Sequence, residues 1–258
     1  AEGQASLHVQ LAQTDVLLEV ENLSVGEKIQ NVNFQLHRGE IVGITGLLGA
    51  GQNELARAIF GIQEHVSGAI KRNGKDVRIE SPGDAVSQGI CLLTENRKEE
   101  GLILEMNVRE NITLPSLAMF RQSIYFPFLN NRKEKLSADD YIKKVNVITR
   151  SPSARMRTLS GGNQQKSIVA RWLLRDLEVL IFVEPTRGID VGAKAEIYRL
   201  LSSLANEGKA IIVVSTDHIE IMGVSDRIFV MYQGRLIKQF NKADVTEENL
   251  LAEIQGGS

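Results

Sequence analysis

Gly46-Leu47-Leu48-Gly49-Ala50-Gly51-Gln52-Asn53 decides how the rest of the chain is read. An apolar run, Glu40-Ile41-Val42-Gly43-Ile44-Thr45, precedes it, and a segment of helical pattern from Glu54 to Phe60 follows. Strand, glycine-rich turn and helix in that order are the setting of a phosphate-binding loop, whose template is G-x-x-x-x-G-K-[ST]. Glycines at this spacing let successive backbone N–H groups point inward as an anion nest. The helix start adds its positive end. The lysine slot, however, holds Gln52, and the Ser/Thr slot holds Asn53. The plainer alternative is a strand-to-helix turn whose glycines serve tight packing. The order G-x-x-G-x-G also differs from the dinucleotide fingerprint G-x-G-x-x-G, which sets a Rossmann reading aside.

Composition bounds the rest. The chain has 258 residues, 43% hydrophobic and 24% charged, which is ordinary for a globular protein. The length allows one large domain or two small ones. A formal net charge of -2 gives no electrostatic reason to expect nucleic acid. The single cysteine, Cys91, excludes an internal disulfide, and its run Ile90-Cys91-Leu92-Leu93 reads as core. No apolar run reaches the ~18 residues of a membrane-spanning helix, and no signal-peptide pattern is visible. The chain begins Ala1-Glu2-Gly3 rather than with Met, as a piece of a longer chain would. Residues 1–16 lack periodicity and are expected to be a linker or tail.

From Leu17 two strands are expected; Val32, Phe34 and Leu36 alternate with polar residues, the period of a half-buried strand. A buried strand at Ile41–Thr45 feeds the glycine loop. Leu55, Ala58 and Ile59 share a helix face that Gly61 can close. Asn73-Gly74 between Ile70 and Val77 signals a tight hairpin. Gly89–Thr94 is a further buried strand, ending at Glu95. From Arg97 to about Arg171 the chain is more charged and helical in pattern, with segments at Asn107–Leu114 and Leu136–Val147, a break at Ser151-Pro152-Ser153, and an aromatic cluster at Tyr125-Phe126-Pro127-Phe128. A continuous apolar run, Val179–Val183, is followed by an amphipathic helix carrying Ile197, Leu200, Leu201 and Leu204, then by a strand at Ala210–Val214. A hairpin turning at Gln233-Gly234 and a short helix from Thr246 end the chain. Short buried runs alternating with helices predict a parallel sheet covered on both faces.

Two more motifs carry chemistry. In Leu159-Ser160-Gly161-Gly162-Asn163-Gln164-Gln165-Lys166, Ser160 is a natural N-cap and the glycines expose backbone donors at a helix start, a second phosphate seat. Its plainer reading is a capped helix with a flexible entry. In Glu184-Pro185-Thr186-Arg187-Gly188-Ile189-Asp190 a carboxylate stands at the end of a buried strand, where catalytic groups sit in open α/β sheets. A solvated strand end is the plain alternative there.

Together these motifs resemble the ATP-binding-cassette family. Leu159–Lys166 looks like its signature motif, and the glycine loop, signature, Glu184-Pro185 strand end and later strand to Ser215-Thr216-Asp217 follow the family's order over roughly Leu17–Phe240. The forms LSGGNQQK and EPTRGIDVGAK are most similar to the ATPase subunits of bacterial ribose/galactose-type sugar importers, whose chains carry two fused cassettes, the second with a degenerate phosphate loop. The resemblance implies an α/β fold: a P-loop NTPase (RecA-like) core with an antiparallel β subdomain over about residues 17–96 and 172–258, and a helical signature subdomain over about 97–171. It implies ATP and Mg²⁺ as ligands of the loop Gly46, Leu47, Leu48, Gly49, Ala50, Gly51, Gln52 and Asn53.

Departures from the family pattern fall at the working positions. Gln52 replaces the phosphate-binding lysine. Asn53, a weak candidate ligand, replaces the magnesium-binding Ser/Thr, and Val183 stands where the strand should present an aspartate. Glu95 replaces a glutamine, Thr216 replaces the switch histidine, and no aromatic stands near Val25 to stack on adenine. Glu184 is retained in the place of the general base. Hydrogen bonds to charged groups contribute about 1.5–3 kcal/mol each, so losing the lysine alone is expected to weaken phosphate affinity roughly ten- to hundredfold. Binding of ATP and Mg²⁺ at this loop is therefore expected to be weak or absent. The signature residues Leu159, Ser160, Gly161, Gly162, Asn163 and Gln164 are intact. The resemblance implies that they complete the ATP site of a first, competent cassette fused in the full chain, with Asp190 at the cassette–cassette contact. It further implies integral membrane permease subunits as partners near Glu95–Leu104, a periplasmic or extracellular sugar-binding protein as an indirect partner, no nucleic acid, and a location on the cytoplasmic face of the bacterial inner membrane. The rivals are a weakly active ATPase cassette and a soluble, non-transport member of the family.

Overall fold

The computed structural model describes residues 15–63, 66–122 and 128–256. Most of the expected linker lies outside them. The first elements are β1 (Val16–Val25) and β2 (Ile29–His37), antiparallel neighbours. The alternation at Val32, Phe34 and Leu36 buries those three side chains. The fully buried β3 (Ile41–Gly46) leads through Gly51 into α1 (Gln52–Ile59). The hairpin is formed by β4 (Val66–Arg72) and β5 (Lys75–Val77), with Asn73 at φ 51 and Gly74 at φ 74. Two successive left-handed residues are what a type I′ turn requires. These strands form an antiparallel sheet in the order β2-β1-β4-β5.

Sequence reading passed over α2 (Pro82–Ser87), a short helix capped by Ser81. Beyond it come β6 (Ile90–Leu93), α3 (Val108–Thr113) and α4 (Asn131–Lys144). The helix α4 starts before the expected Leu136, which lies exposed; its buried stripe is Glu134, Ala138 and Ile142. Of the aromatic cluster, residues 125–127 lie outside the described chain, and Phe128 is exposed. A 3₁₀ turn at Met156–Thr158 leads into α5 (Gly161–Leu173). The rest alternates: β7 (Val179–Val183), α6 (Val191–Asn206), β8 (Ala210–Val214), α7 (His218–Val224), β9 (Arg227–Tyr232), β10 (Arg235–Asn241) and α8 (Glu247–Ile254).

The second sheet runs β10-β9-β3-β8-β7-β6. All its neighbouring pairs are parallel except β10 with β9. Its strands are apolar without interruption because both faces are covered. In β7, Leu180 and Phe182 enter a core shared with α3, α5, α6, α7 and α8. Val179, Ile181 and Val183 enter a second core shared with α1 and with β1 and β2 of the antiparallel sheet. In β8, Ile211 and Val213 go to the first core and Ala210, Ile212 and Val214 to the second. The period-2 geometry of a strand thus splits one apolar run between two layers. The parallel strands end on one edge, and that edge gathers the glycine loop, Glu95, Glu184 and Ser215–Asp217.

Candidate functional site

The glycine loop closes on itself. Ala50 N–H donates to the Leu47 carbonyl at 3.0 Å, and Gly51 caps α1 in the left-handed region with no side-chain cap. The buried Gln52 side chain folds back over this loop, its Nε2 donating to the Leu47 carbonyl at 3.1 Å. Only the amide nitrogen can serve a carbonyl, so Oε1 takes the other side, where it is buried without a partner. Gln52 therefore contributes no charge to the loop and leaves an unmatched acceptor in it. Asn53 Nδ2 turns to Glu95 Oε2 at 3.4 Å, and Glu95 forms an ion pair with Arg187. Val183 is buried in the apolar layer beneath.

Glu184 follows β7 with a φ of 47, a left-handed conformation that costs a non-glycine residue about 1–2 kcal/mol. Hydrogen bonds hold it there. Its N–H donates to the Val214 carbonyl at 2.8 Å. Its Oε1 accepts from the N–H and hydroxyl of Thr216 at 2.7 and 2.9 Å. Its Oε2 lies 3.1 Å from the Ser215 hydroxyl. Thr216 therefore engages the carboxylate of its own chain rather than standing free at the mouth of the site. Ser215 Oγ also contacts Glu220 Oε2 at 2.6 Å.

Burial pushes the Glu220 carboxyl above the usual range, against the pull of the Ser215 and Thr186 hydroxyls. Its folded-state pKa then exceeds the unfolded value, so the stability it contributes is present below the unfolded pKa and is lost as pH rises through the raised value. Glu220→Gln is therefore expected to gain stability over the wild type at pH 8 and to lose that advantage near pH 4. Denaturant titrations at the two pH values read this directly; an advantage independent of pH would contradict a buried acid here.

These groups line a cleft of about 470 Å³ bounded by Leu48, Asn53, Glu95, Glu184, Arg187 and Lys194, among others. Four carboxylates (Glu95, Glu184, Asp217 and Glu220) face two cations (Arg187 and Lys194) along its wall. The signature residues are not part of this wall. Ser160 caps α5, accepting from Asn163 Nδ2 at 2.9 Å, and stays exposed. Asn163 Oδ1 accepts from the Ile148 N–H at 2.7 Å, and the buried Gln164 donates to the Met156 carbonyl at 3.4 Å. Asp190 caps α6 through the Ala193 N–H. The structure thus joins Asn53, Glu95, Glu184 and Thr216 in one cleft and sets the signature at another helix start. Sequence reading assigned no role to Arg97, Arg187 or Ser215. Arg187 and Ser215 lie within the Glu184–Asp190 and Ser215–Asp217 motifs; Arg97 carries no such signal.

A family model described as ABC transporter matches residues 29–187. The chain belongs to that family. This ABC chain is 47% identical to the ribose import ATP-binding protein RbsA of Clostridium perfringens (strain 13 / Type A) over 92% of its own length and 47% of that protein. It is 45% identical to RbsA of Bacillus licheniformis over 94% of itself and 48% of that protein. The chain thus spans about half the length of the curated relatives it matches. Among solved structures, cbiO1 from Clostridium perfringens, part of the ABC transporter complex cbiONQ, superposes with a TM-score of 0.76 at 25% identity, covering 93% of this chain and 94% of that one. A nucleotide-free ATP-binding cassette from an ABC transporter superposes at 0.78 with 20% identity, over 94% of this chain and all of the other, which establishes the shared P-loop NTPase-like fold.

Proposed function

We propose that this ABC chain is the second, degenerate cassette of the ATPase subunit of a ribose-type monosaccharide importer. The full chain carries a first cassette with a working phosphate loop. The pair sits on the cytoplasmic face of the bacterial inner membrane against integral permease subunits, which receive sugar from a binding protein outside. This chain's own loop holds ATP weakly or not at all. Its signature, Leu159–Gln164, completes the ATP site of the first cassette. The sugar class rests on the names of relatives at 45–47% identity.

The observation that carries the division of labour is the Gln52 amide folded onto the Leu47 carbonyl, in the slot where the loop template places a lysine. Phosphoryl transfer depends on positioning and on neutralising charge, and this cleft is lined by more carboxylates than cations. The residues present do not suit a magnesium ion. Asn53 turns its amide nitrogen to Glu95 and Val183 is buried among apolar side chains, so neither position offers a hydroxyl or carboxylate ligand. Both oxygens of Glu184 already face donors of its own chain, so no step is assigned to it. The exposed Ser160 and the glycines behind it keep the form of an anion seat at the start of a helix of 13 residues.

Ser160→Ala tests the donated signature. In the full two-cassette protein it is expected to lower ATP turnover about tenfold or more, since a hydrogen bond to a charged group contributes roughly 1.5–3 kcal/mol. Turnover equal to wild type would remove the signature from the working site.

A further inference from the structure

The segment from Glu95 to Gly101 is pinned at three places. Glu95 accepts from Asn53 and pairs with Arg187, so side chains link the start of α1 to the loops that follow β6 and β7. Arg97 reaches the same turn after β7: its Nη1 donates to the Arg187 carbonyl at 2.7 Å and its Nη2 to the Gly188 carbonyl at 3.1 Å. Gly101 rests on α5, where Arg171 donates to its carbonyl. The start of α5 closes onto the Arg97 fork. A Cβ at Gly161 would lie 2.7 Å from Arg97 Nη2 and 3.2 Å from the Gly188 carbonyl oxygen. The first glycine of the signature is thus in contact with the guanidinium and with the turn it holds.

We propose that Arg97 is a positioning residue for the signature. Its guanidinium bridges two carbonyls of the 187–188 turn beside Gly161 and so fixes the start of α5 for the partner cassette's nucleotide, with no need of a nucleotide at this chain's own loop. This rests on the donated-signature reading above. A guanidinium presents its donors in a rigid planar fork, which spans two acceptors where an ammonium offers a point charge. Burial draws the Arg97 pKa below the ordinary arginine value, and both arms of the fork end on main-chain carbonyls of a single turn. The Arg97 Nε is buried without a partner. A side chain that only filled this space would avoid that cost. The latch also gives a physical account of how a cassette with a failed phosphate loop keeps a fixed signature: the ties that bound phosphate would supply between strand ends are made by Asn53, Glu95, Arg187 and Arg97.

The test uses the full two-cassette protein assembled with its membrane subunits. Steady-state ATP turnover, equilibrium binding of a fluorescent ATP analogue and the thermal unfolding midpoint are measured for wild type, Arg97→Lys, Arg97→Ala and Ser160→Ala. Arg97→Lys keeps charge and bulk but loses the fork, and it carries the test if Arg97→Ala fails to fold. The expected result for Arg97→Lys is a kcat lowered about ten- to hundredfold, as for a small misplacement of a catalytic group, with analogue binding and unfolding midpoint unchanged. Wild-type kcat in Arg97→Lys, or a fall matched by equal losses of binding and stability, overturns the proposal. If Ser160→Ala lowers kcat and Arg97→Lys does not, the latch alone fails. If neither lowers it, the donated signature fails and the latch with it.

Discussion

The combined variant Gln52→Lys, Asn53→Ser, Val183→Asp and Thr216→His is expected to bind ATP at this chain's own loop roughly ten- to hundredfold more tightly than wild type, and to do so only with Mg²⁺. Each change answers a particular contact. The Gln52 amide spends its donor on the Leu47 carbonyl; a lysine brings three donors and a full charge to the same place. Asn53 faces Glu95; a serine is short enough to release that carboxylate and offers a hydroxyl ligand. Thr216 Oγ1 donates to Glu184; a histidine removes that hydroxyl from the carboxylate. Val183→Asp carries a cost, because the site is buried in an apolar layer and an unpaired carboxylate there is unfavourable. The variant is therefore expected to be less stable than wild type alone and to recover with ATP and Mg²⁺, since a ligand that binds only the folded state stabilises it. Calorimetric titration and thermal unfolding, each with and without Mg²⁺, read both effects. Tight, magnesium-dependent binding by the wild type would instead overturn the reading of a loop that holds ATP weakly or not at all. Unchanged affinity in a folded variant would show that further positions, such as the Arg187–Glu95 pair, obstruct the loop.

The fold was legible where one strand or turn states its own rule. Val179–Val183 and Ala210–Val214 are too short and too apolar for anything but covered strands, and the structure divides each between two cores. Asn73-Gly74 named its turn because two left-handed residues in succession are rarely anything else. The helix α7 carries no signal in the sequence because it is a helix of 7 residues and buries an acid, Glu220, beside Ile221 and Val224, so no apolar period shows. The start of α4 lies earlier than the apolar pattern suggests for a related reason: its inward stripe includes Glu134, which accepts a hydrogen bond from Thr113 at 2.7 Å, while the apolar Leu136 is exposed. At the site, the missing lysine could be read from one position, but the fold-back of Gln52 depends on where the Leu47 carbonyl points. Arg97 was invisible because its partners lie 90 and 91 residues away.

Gly46→Ala is expected to cost about 3 kcal/mol of folding stability, and Gly49→Ala about 1–2 kcal/mol, although both glycines belong to one phosphate-loop frame. A Cβ at Gly46 would lie 2.2 Å from the Met231 carbonyl oxygen. That oxygen belongs to β9, which pairs with β3 at this register, Gly46 opposite Met231. Relief requires parting two central strands, whereas a flexible side chain could simply turn away. Gly49 has a φ of +84 and nothing within 4 Å of a built Cβ. An alanine there meets only the intrinsic strain of a left-handed residue. Out of a total stability of about 5–15 kcal/mol for a typical domain, the difference is readable in a denaturant midpoint. Equal costs at the two positions would mean that backbone strain, not strand packing, sets the requirement for glycine. The expected inequality explains why a loop without its lysine still reads as a phosphate loop. Gly46 is held by the approach of β9, a constraint that persists whether or not phosphate binds. The frame therefore does not depend on the side chains at 52 and 53, and for that reason four side-chain changes on an intact backbone are expected to strengthen nucleotide binding there.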